Sequence, residues 1–320
     1  MGMGIKNHIK RWSANVLGGD WSQNYPLPYL IPVYHAVSDV DLPHLKHIIR
    51  YKNSQEFESD LDEMSKYVEW LDWSQFKSVL NRTYKGNKLP ALLTFDDGLS
   101  DFYDTVAPIL ERKGIYAINF INPKFIDNHD LMFRCKASLL ISELENELEP
   151  SIEQHDILNV KFQKPEQLDV WAKQLNVDFD DYLTESSPYL TTDQLLNLKK
   201  RGFGIGAHGW DHPLYCDLSL QDQLQNTAKA VQYCHEMGFE SDVFAFPFTD
   251  DRVGSDFFKA LQKDDVPFYT MGCAGIKRDS VITNIQRVPM EYGLSADKML
   301  QEEVAYYKLK SLMNKNLIKR

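Results

Sequence analysis

The sequence lacks several features that would assign it to common protein classes. It has four cysteines, none in a C-x-x-C pair, and such scattered residues are typical of reduced thiols in a cytoplasmic protein. No apolar run reaches eighteen residues, so we expect no transmembrane segment. The basic N-terminal stretch has no apolar centre, so we expect no secretory signal there. These absences favour a cytoplasmic protein. The cysteines are Cys135, Cys216, Cys234 and Cys273.

Positive charge is also scarce. The 320 residues include 35 Lys and Arg against 46 Asp and Glu, a net charge of −11, and no stripe of basic residues stands out. Because phosphate backbones require clustered cations, we expect no nucleic-acid partner. The hydrophobic fraction of 43% is ordinary for a folded protein, and the length suits one large α/β domain or two small ones. The pattern says nothing about oligomeric state.

Short apolar segments alternate with stretches of helical periodicity, which is typical of parallel strands joined by crossover helices. The segment 128–189 breaks this alternation with acidic, helical patterns at 134–148 and 165–175. We therefore predict a single domain over 1–320, with a βα barrel, complete or partly open, formed by 28–127 and 190–300 and a helical insertion at 128–189. Predicted strands lie at 29–37, 91–95, 115–121, 203–207, 243–247, 267–271 and 285–288, and predicted helices at 54–69, 73–84, 101–113, 191–201, 219–237 and 254–263.

Polar residues follow three of the predicted strands. The patches are TFDDG at 94–98, AHGWDHP at 207–213 and FAFPFTD at 244–250. The carboxyl ends of the strands of a βα barrel share one rim, where active sites are built. We therefore expect these distant patches to converge.

The two acids of the first patch can do different jobs. Neighbouring side chains of an extended chain point to opposite sides, so one of Asp96 and Asp97 could bind a cation while the other acts as a base. For the acid pair taken alone, a helix N-cap is the better explanation. The histidines change the balance, because Pro213 disfavours a helix at His212 and indicates a turn that brings it to His208. Two imidazoles and a carboxylate are typical of a zinc-like site with open positions.

The quoted motifs resemble a known family. TFDDG, HGWDHP and FAFPF are similar to the first three motifs of the polysaccharide deacetylases, also called the NodB-homology family or carbohydrate esterase family 4. YHAV at 34–37 resembles a tract at the first strand of some members. The resemblance covers roughly 29–125 and 190–292. It implies an α/β fold, a distorted (β/α)7 barrel, with a divalent metal that is most often Zn²⁺, and removal of an N-acetyl group from a sugar or glycan precursor.

The resemblance also implies roles for individual residues. The metal ligands would be Asp97, His208 and His212. Asp96 would be the general base, and the backbone N–H of Phe248 would help to hold the oxyanion. We also expect three residues near these motifs to contact the substrate. Trp210 could instead pack within its own loop, and Asp250 could be an ordinary turn residue. These three are Trp210, Pro247 and Asp250.

The sequence departs from the family pattern at two places. The arginine that often precedes the proline of the third motif is absent, and Arg287 either takes its role or lies at the surface. No histidine follows His235, whereas the family often has a late one as general acid. His35 either supplies that proton or is a hydrogen-bonded core residue.

These departures leave three hypotheses open. The first is a metal-dependent deacetylase, for which a cytoplasmic location favours a nucleotide- or lipid-linked sugar. The second is a catalytically impaired barrel that binds a glycan. The third is a metal hydrolase of an amide or ester that is not a sugar.

Overall fold

The computed structural model describes residues 2–145, 152–262 and 267–320, with side chains of the first helix described from His8 onward. The last residues of the helical pattern at 134–148, and residue 263 of a predicted helix, lie outside this part of the chain. The strands are β1 (Pro32–Tyr34), β2 (Val68–Trp70), β3 (Leu89–Ala91), β4 (Leu93–Asp97), β5 (Ala117–Ile121), β6 (Gly204–Ala207), β7 (Val243–Ala245), β8 (Tyr269–Gly272), β9 (Arg278–Asp279), β10 (Asn284–Gln286), β11 (Val288–Pro289) and β12 (Leu317–Ile318).

The helices account for most of the remaining residues, and several have N-terminal capping boxes, as at Asn53, Asp72 and Thr191. They are α1 (Gly2–Leu17), α2 (Ser54–Ser65), α3 (Trp73–Leu80), α4 (Ala107–Lys113), α5 (Phe133–Leu144), α6 (Gln154–Leu158), α7 (Glu166–Gln174), α8 (Phe179–Ser186), α9 (Thr192–Lys200), α10 (Leu220–Glu236), α11 (Ser255–Leu261) and α12 (Ala296–Leu312).

The predicted barrel is confirmed. The main sheet has the order β10-β8-β7-β6-β5-β4-β1-β11, and all its registered pairs are parallel. Its two outer strands belong to one extended segment, in which a single residue, Arg287, separates β10 from β11. The first half of that segment pairs with β8 and the second half with β1. The segment therefore occupies one strand position and brings the ends of the sheet together, which gives seven positions.

Both faces of this sheet are covered, as parallel sheets require. Every residue of β4, β5 and β6 is buried. Aromatic rings fill the space between β1, β4 and α2, with Phe57 5.1 Å from Tyr34 and 5.7 Å from Phe95, measured between ring centroids. Edge-to-face contacts of this kind stabilise a core beyond the area they bury.

The predicted insertion consists of α5 to α8, and it shares its core with the barrel. Leu140, Ile157 and Leu168 pack in one cluster with Leu99, which follows β4, and Phe125, which follows β5. An isolated bridge also pairs Leu99 with Tyr189. Because Leu99 and Phe125 stand beyond the carboxyl ends of their strands, the insertion covers that rim of the barrel.

The structure differs from the predicted elements mainly at their ends and near the termini. The first strand is shorter than predicted, and the predicted helix at 101–113 begins with a π-helical turn over Phe102–Val106. α12 and the short pair β9–β12 were not predicted. α1 packs along α12, where Lys10 forms a buried ion pair with Glu303. Among the described helices, none is long and apolar enough to cross a membrane.

We expect the buried ion pair between Asp60 of α2 and Lys52 to be essential for stability. The pair has an N–O distance of 2.9 Å, and the carboxylate also accepts hydrogen bonds from the Tyr34 hydroxyl and the Ala296 backbone. Asp60→Ala would leave a buried ammonium without its carboxylate and lower the free energy of unfolding by about 3–5 kcal/mol. Chemical denaturation at neutral pH measures this.

Asp62→Ala is the matched control, because Asp62 lies on the same helix and its side chain, which pairs with Lys113, is 67% exposed. Equal losses in the two variants would contradict the assignment.

Candidate metal centre and active site

The three polar patches converge at the carboxyl rim of the barrel, as predicted. Asp96 and Asp97 are the last residues of β4, and His208 follows the last residue of β6. Phe248 lies in the loop after β7, with its ring centroid 4.4 Å from that of His212. The barrel topology therefore brings together residues that are up to 152 positions apart in the sequence.

Asp97, His208 and His212 form a compact, buried trio. Oδ1 of Asp97 lies 3.5 Å from Nε2 of His208 and 3.2 Å from Nε2 of His212. One potential ligand atom from each residue lies within 4.8 Å of the others. The three residues are only 3%, 1% and 5% exposed, respectively. These distances are those expected of ligands that face one cation.

The state of these groups fits a divalent metal. Nδ1 of His208 lies 3.0 Å from the carbonyl oxygen of Ala245, which leaves Nε2 to face the trio. Burial lowers the pKa of His208 to about 4, so its imidazole is neutral at neutral pH. Burial would raise the pKa of Asp97, but the nearby histidines more than offset it and hold the pKa well below its usual range. Oδ1 of Asp97 faces Nε2 of both histidines but accepts no well-aligned hydrogen bond within the described residues. A buried carboxylate oxygen of this kind suits a cation.

Three residues of the rim have left-handed backbone conformations. The φ angles are 77° for Asp97, 58° for His212 and 57° for Phe248. Such conformations cost an L-residue roughly 1–3 kcal/mol each and persist only where the surroundings enforce them. Backbone strain of this kind is common at functional sites, although other described residues, such as Arg82 and Asn176, also have positive φ.

Two amide side chains, the buried Asn122 and the half-buried Asn226, hold the loop that carries the histidines. Nδ2 of Asn122 donates to the carbonyl oxygens of His208 and Gly209, at 2.5 and 3.1 Å. Oδ1 of Asn226 accepts from the backbone N–H of Trp210 at 2.8 Å. Sequence reasoning missed both residues, because a single asparagine has no pattern that distinguishes it from a turn residue.

Asp96 is paired with Arg287. The guanidinium donates to both carboxylate oxygens, at 2.6 and 2.7 Å, and Arg287 is fully buried. The surface alternative for Arg287 is therefore wrong. Burial would raise the pKa of Asp96, but Arg287 offsets it and keeps the pKa below its usual value. The pair fixes the orientation of an ionised carboxylate beside the trio.

His35 lies beside the same centre and is paired with Glu291. Nδ1 of His35 is 2.5 Å from Oε2 of Glu291, whose Oε1 accepts from the backbone N–H groups of His35 and Ala36. Burial lowers the pKa of His35, but Glu291, with Asp97 and Asp96, outweighs it and raises the pKa to about 10. An imidazolium is thus available at neutral pH. Sequence reasoning missed Glu291, although it lies four residues after Arg287.

The three residues expected to contact the substrate differ in how accessible they are. Trp210 is half-buried, and the ammonium of Lys229 lies 3.5 Å from its ring centroid, so one ring face is already covered. Pro247 is buried beside Gly209. The expectation for Asp250 requires correction: it is 1% exposed, and its Oδ2 accepts from Asn284 and Gln286 at 2.7 and 2.6 Å. A carboxylate whose hydrogen bonds are directed inward does not reach a sugar hydroxyl.

Arg320 completes the cluster around Asp250 and, through it, anchors the loop that carries Phe248. Its guanidinium pairs with the carboxylates of Asp250 and Asp279, both buried, and donates to the carbonyl oxygens of Asp250 and Val253. We expect Arg320→Gln to lower the free energy of unfolding by about 3–5 kcal/mol, because two buried carboxylates lose their cation. Denaturant unfolding measures the change.

Arg252→Gln is the control, because Arg252 lies in the loop after β7 and is exposed. Its ion pair with Asp251 is long, at 3.8 Å, and lies at the surface. If both arginine variants were as stable as the parent protein, the anchoring role of Arg320 would be refuted.

Comparisons with known proteins agree with this geometry. The model of the polysaccharide deacetylase family matches residues 83–267, more than half of the chain. No curated protein gives a significant match. Among solved structures, the deacetylase PplD of Streptococcus pyogenes, determined with acetate, is 15% identical and has a TM-score of 0.58, over 86% of this chain and 97% of its own. IcaB from Ammonifex degensii is 14% identical with a TM-score of 0.55, again over 86% and 97%.

A de-N-acetylase from Aggregatibacter actinomycetemcomitans is 15% identical with a TM-score of 0.55, over 85% of this chain and 99% of its own. At such low identity these three structures show a shared fold. The family match extends over the acid pair, both histidines and the loop after β7. The chain therefore belongs to the polysaccharide deacetylase family.

Proposed function

We propose that the protein is a metal-dependent carbohydrate N-deacetylase that hydrolyses the acetamide of an N-acetylated sugar or glycan precursor, with Zn²⁺ as its metal. Membership of the family supports sugar deacetylation. The observation that carries the proposal is the buried trio of Asp97, His208 and His212 beside the ion pair of Asp96 and Arg287. We also propose a cytoplasmic location, where a nucleotide- or lipid-linked sugar would be the substrate.

Asp97, His208 and His212 would hold the metal. When bound, it supplies a Lewis acid that lowers the pKa of a water molecule and polarises the acyl oxygen. Three protein ligands leave positions open for water and substrate. The burial of the trio limits competition from bulk solvent.

Asp96 would act as the general base. Its Oδ2 lies 3.8 Å from Nε2 of His208, so the carboxylate borders the ligand positions without being needed to complete the trio. Arg287 holds it ionised and fixed in orientation. The carboxylate would accept the proton of the attacking water as its oxygen bonds to the carbonyl carbon of the acetamide.

The backbone N–H of Phe248 would stabilise the oxyanion that develops on the acyl oxygen. Phe248 has a left-handed backbone conformation, its ring contacts that of His212, and its N–H donates no hydrogen bond to the described residues. A donor that is fixed before the reaction needs no reorganisation during it.

The imidazolium of His35 would complete the reaction. As the C–N bond breaks, the bond electrons go to nitrogen, which takes the proton of His35 and leaves as an amine, with acetate as the other product. Glu291 would hold the imidazole by Nδ1 and leave Nε2 to donate.

This arrangement favours an active enzyme over an impaired glycan-binding barrel. The impaired-barrel hypothesis rested on two absences, the arginine of the third motif and the late histidine. Arg287 is paired with Asp96, and His35 with Glu291 lies beside the same rim, so both positions have a candidate replacement.

Metal binding and turnover should separate in variants. We expect the protein to bind one equivalent of Zn²⁺ or Co²⁺ and to release acetate from N-acetylglucosamine derivatives. Asp96→Asn should still bind the metal, but its kcat should be lower by at least about 100-fold. The amide has the shape of the carboxylate but cannot act as a base. Titration calorimetry and acetate assays measure the two properties, with His212→Gln as the control that loses both. A protein that binds no divalent metal, or an unchanged Asp96→Asn variant, would sink the mechanism.

The pH dependence should identify His35 as the acid. Because a general acid acts when protonated, kcat/KM of the parent enzyme should fall at alkaline pH. Glu291→Gln should move that fall to lower pH, since the carboxylate that raises the pKa of His35 is neutralised. His35→Ala should be slower by about 100-fold or more and should lack this limb.

His47→Ala is the matched control, as His47 lies near Ser142 and Glu145 of the insertion, away from the metal trio. An alkaline limb retained in His35→Ala would refute the assignment.

A further inference from the structure

The insertion places an arginine at the edge of the site. Arg134 lies in the first turn of α5, and its guanidinium carbon is 4.9 Å from the ring centroid of Phe133 and 5.9 Å from that of Phe248. The Phe248 ring also contacts His212, with 4.4 Å between the two ring centroids. Arg134 is therefore one aromatic ring away from a residue of the metal trio.

Arg134 has no acidic partner among the residues that the structure describes. Its recorded hydrogen bond goes from Nη1 to the carbonyl oxygen of Leu158, a neutral acceptor. The neighbouring cations behave differently: Lys124 pairs with Asp130 at 3.1 Å, and Lys136 pairs with Asp169 at 3.1 Å. An unpaired guanidinium is notable in a chain with 46 acidic and 35 basic residues.

The surroundings of Arg134 favour binding of an anion. It is half-buried, and burial lowers its pKa because the charge is partly removed from water without a compensating anion. Phe248 beside it is 41% exposed, although it is a large apolar side chain. An exposed ring next to an unpaired guanidinium resembles a surface that a ligand completes.

We propose that Arg134 binds a phosphate group carried by the N-acetylated sugar, while the exposed ring of Phe248 packs against the sugar itself. This inference rests on the proposed deacetylase function. The planar guanidinium can donate two parallel hydrogen bonds to phosphate oxygens, which a neutral hydroxyl cannot match. The preferred substrate class is therefore a sugar phosphate or a sugar attached through a diphosphate, in preference to a neutral residue within a polymer.

Binding measurements on the zinc-loaded protein test this directly. N-Acetylglucosamine 1-phosphate should bind at least about tenfold more tightly than N-acetylglucosamine, as expected for charge-assisted hydrogen bonds. Arg134→Gln should remove most of that advantage, and Arg134→Lys should restore part of it, because the charge returns without the planar fork. A uridine diphosphate sugar in a parallel titration shows whether the mono- or the diphosphate is preferred.

Lys136→Gln is the matched control, since Lys136 lies on the same helix but is already paired with acids. It should keep the full preference for phosphate. A parent protein with no preference, or a preference that survives in Arg134→Gln, would overturn the proposal; the second result is also what direct phosphate binding to the metal would produce.

Failure of this inference is distinguishable from failure of the proposed function. If phosphate binding depends on Arg134 but no acetate is released from any sugar, the anion site stands and the deacetylase assignment falls. If neutral sugars are deacetylated as fast as phosphorylated ones and Arg134→Gln changes neither, the enzyme stands and the anion site falls.

Discussion

The ion pair between Asp96 and Arg287 is the interaction on which both the barrel and its site depend. Arg287 is the residue between β10 and β11, where one extended segment changes its partner from β8 to β1 and so closes the sheet. Asp96 belongs to β4, next to β1 in the sheet. A fully buried pair gains little stability over apolar side chains of similar size, but losing one partner costs about 3–5 kcal/mol. Stability alone therefore does not explain it. Its value lies in holding an ionised carboxylate at a fixed place.

A second constraint is the backbone strain at the rim. Asp97 and His212 have left-handed conformations and offer ligand atoms, and Phe248 has one beside them. Neighbouring contacts offset the free-energy cost of these conformations. Asn122 and Asn226 hold the histidine loop, and the pair of Asp250 and Arg320 holds the loop after β7. Rigid support of this kind limits the movement of donors and ligands during the reaction.

Much of this could be predicted from the sequence, for identifiable reasons. The apolar strand ALLTF followed by DDG, and the proline after His212, locate strand exits, and a parallel barrel brings such exits to one rim. Motif similarity then assigned different roles to Asp96 and Asp97, and these roles stay predictions. Asp250 was misjudged because a turn acid looks the same whether its carboxylate points to solvent or inward. Asn122, Asn226, Glu291 and Arg320 were missed because their roles arise from contacts between distant segments, for which local periodicity carries no signal.

We propose that other residues of the folded chain compensate for the two departures from the family pattern. Arg287, between β10 and β11, donates to Asp96. Glu291, four residues later, is hydrogen-bonded to His35, which directly follows β1. One short region thus governs both the base and the proposed acid, which couples their positions through a common backbone. The insertion contacts the site at Phe248, whose ring lies beside Phe133 and Arg134. The barrel would then determine the chemistry, while the added helices select which sugar reaches it.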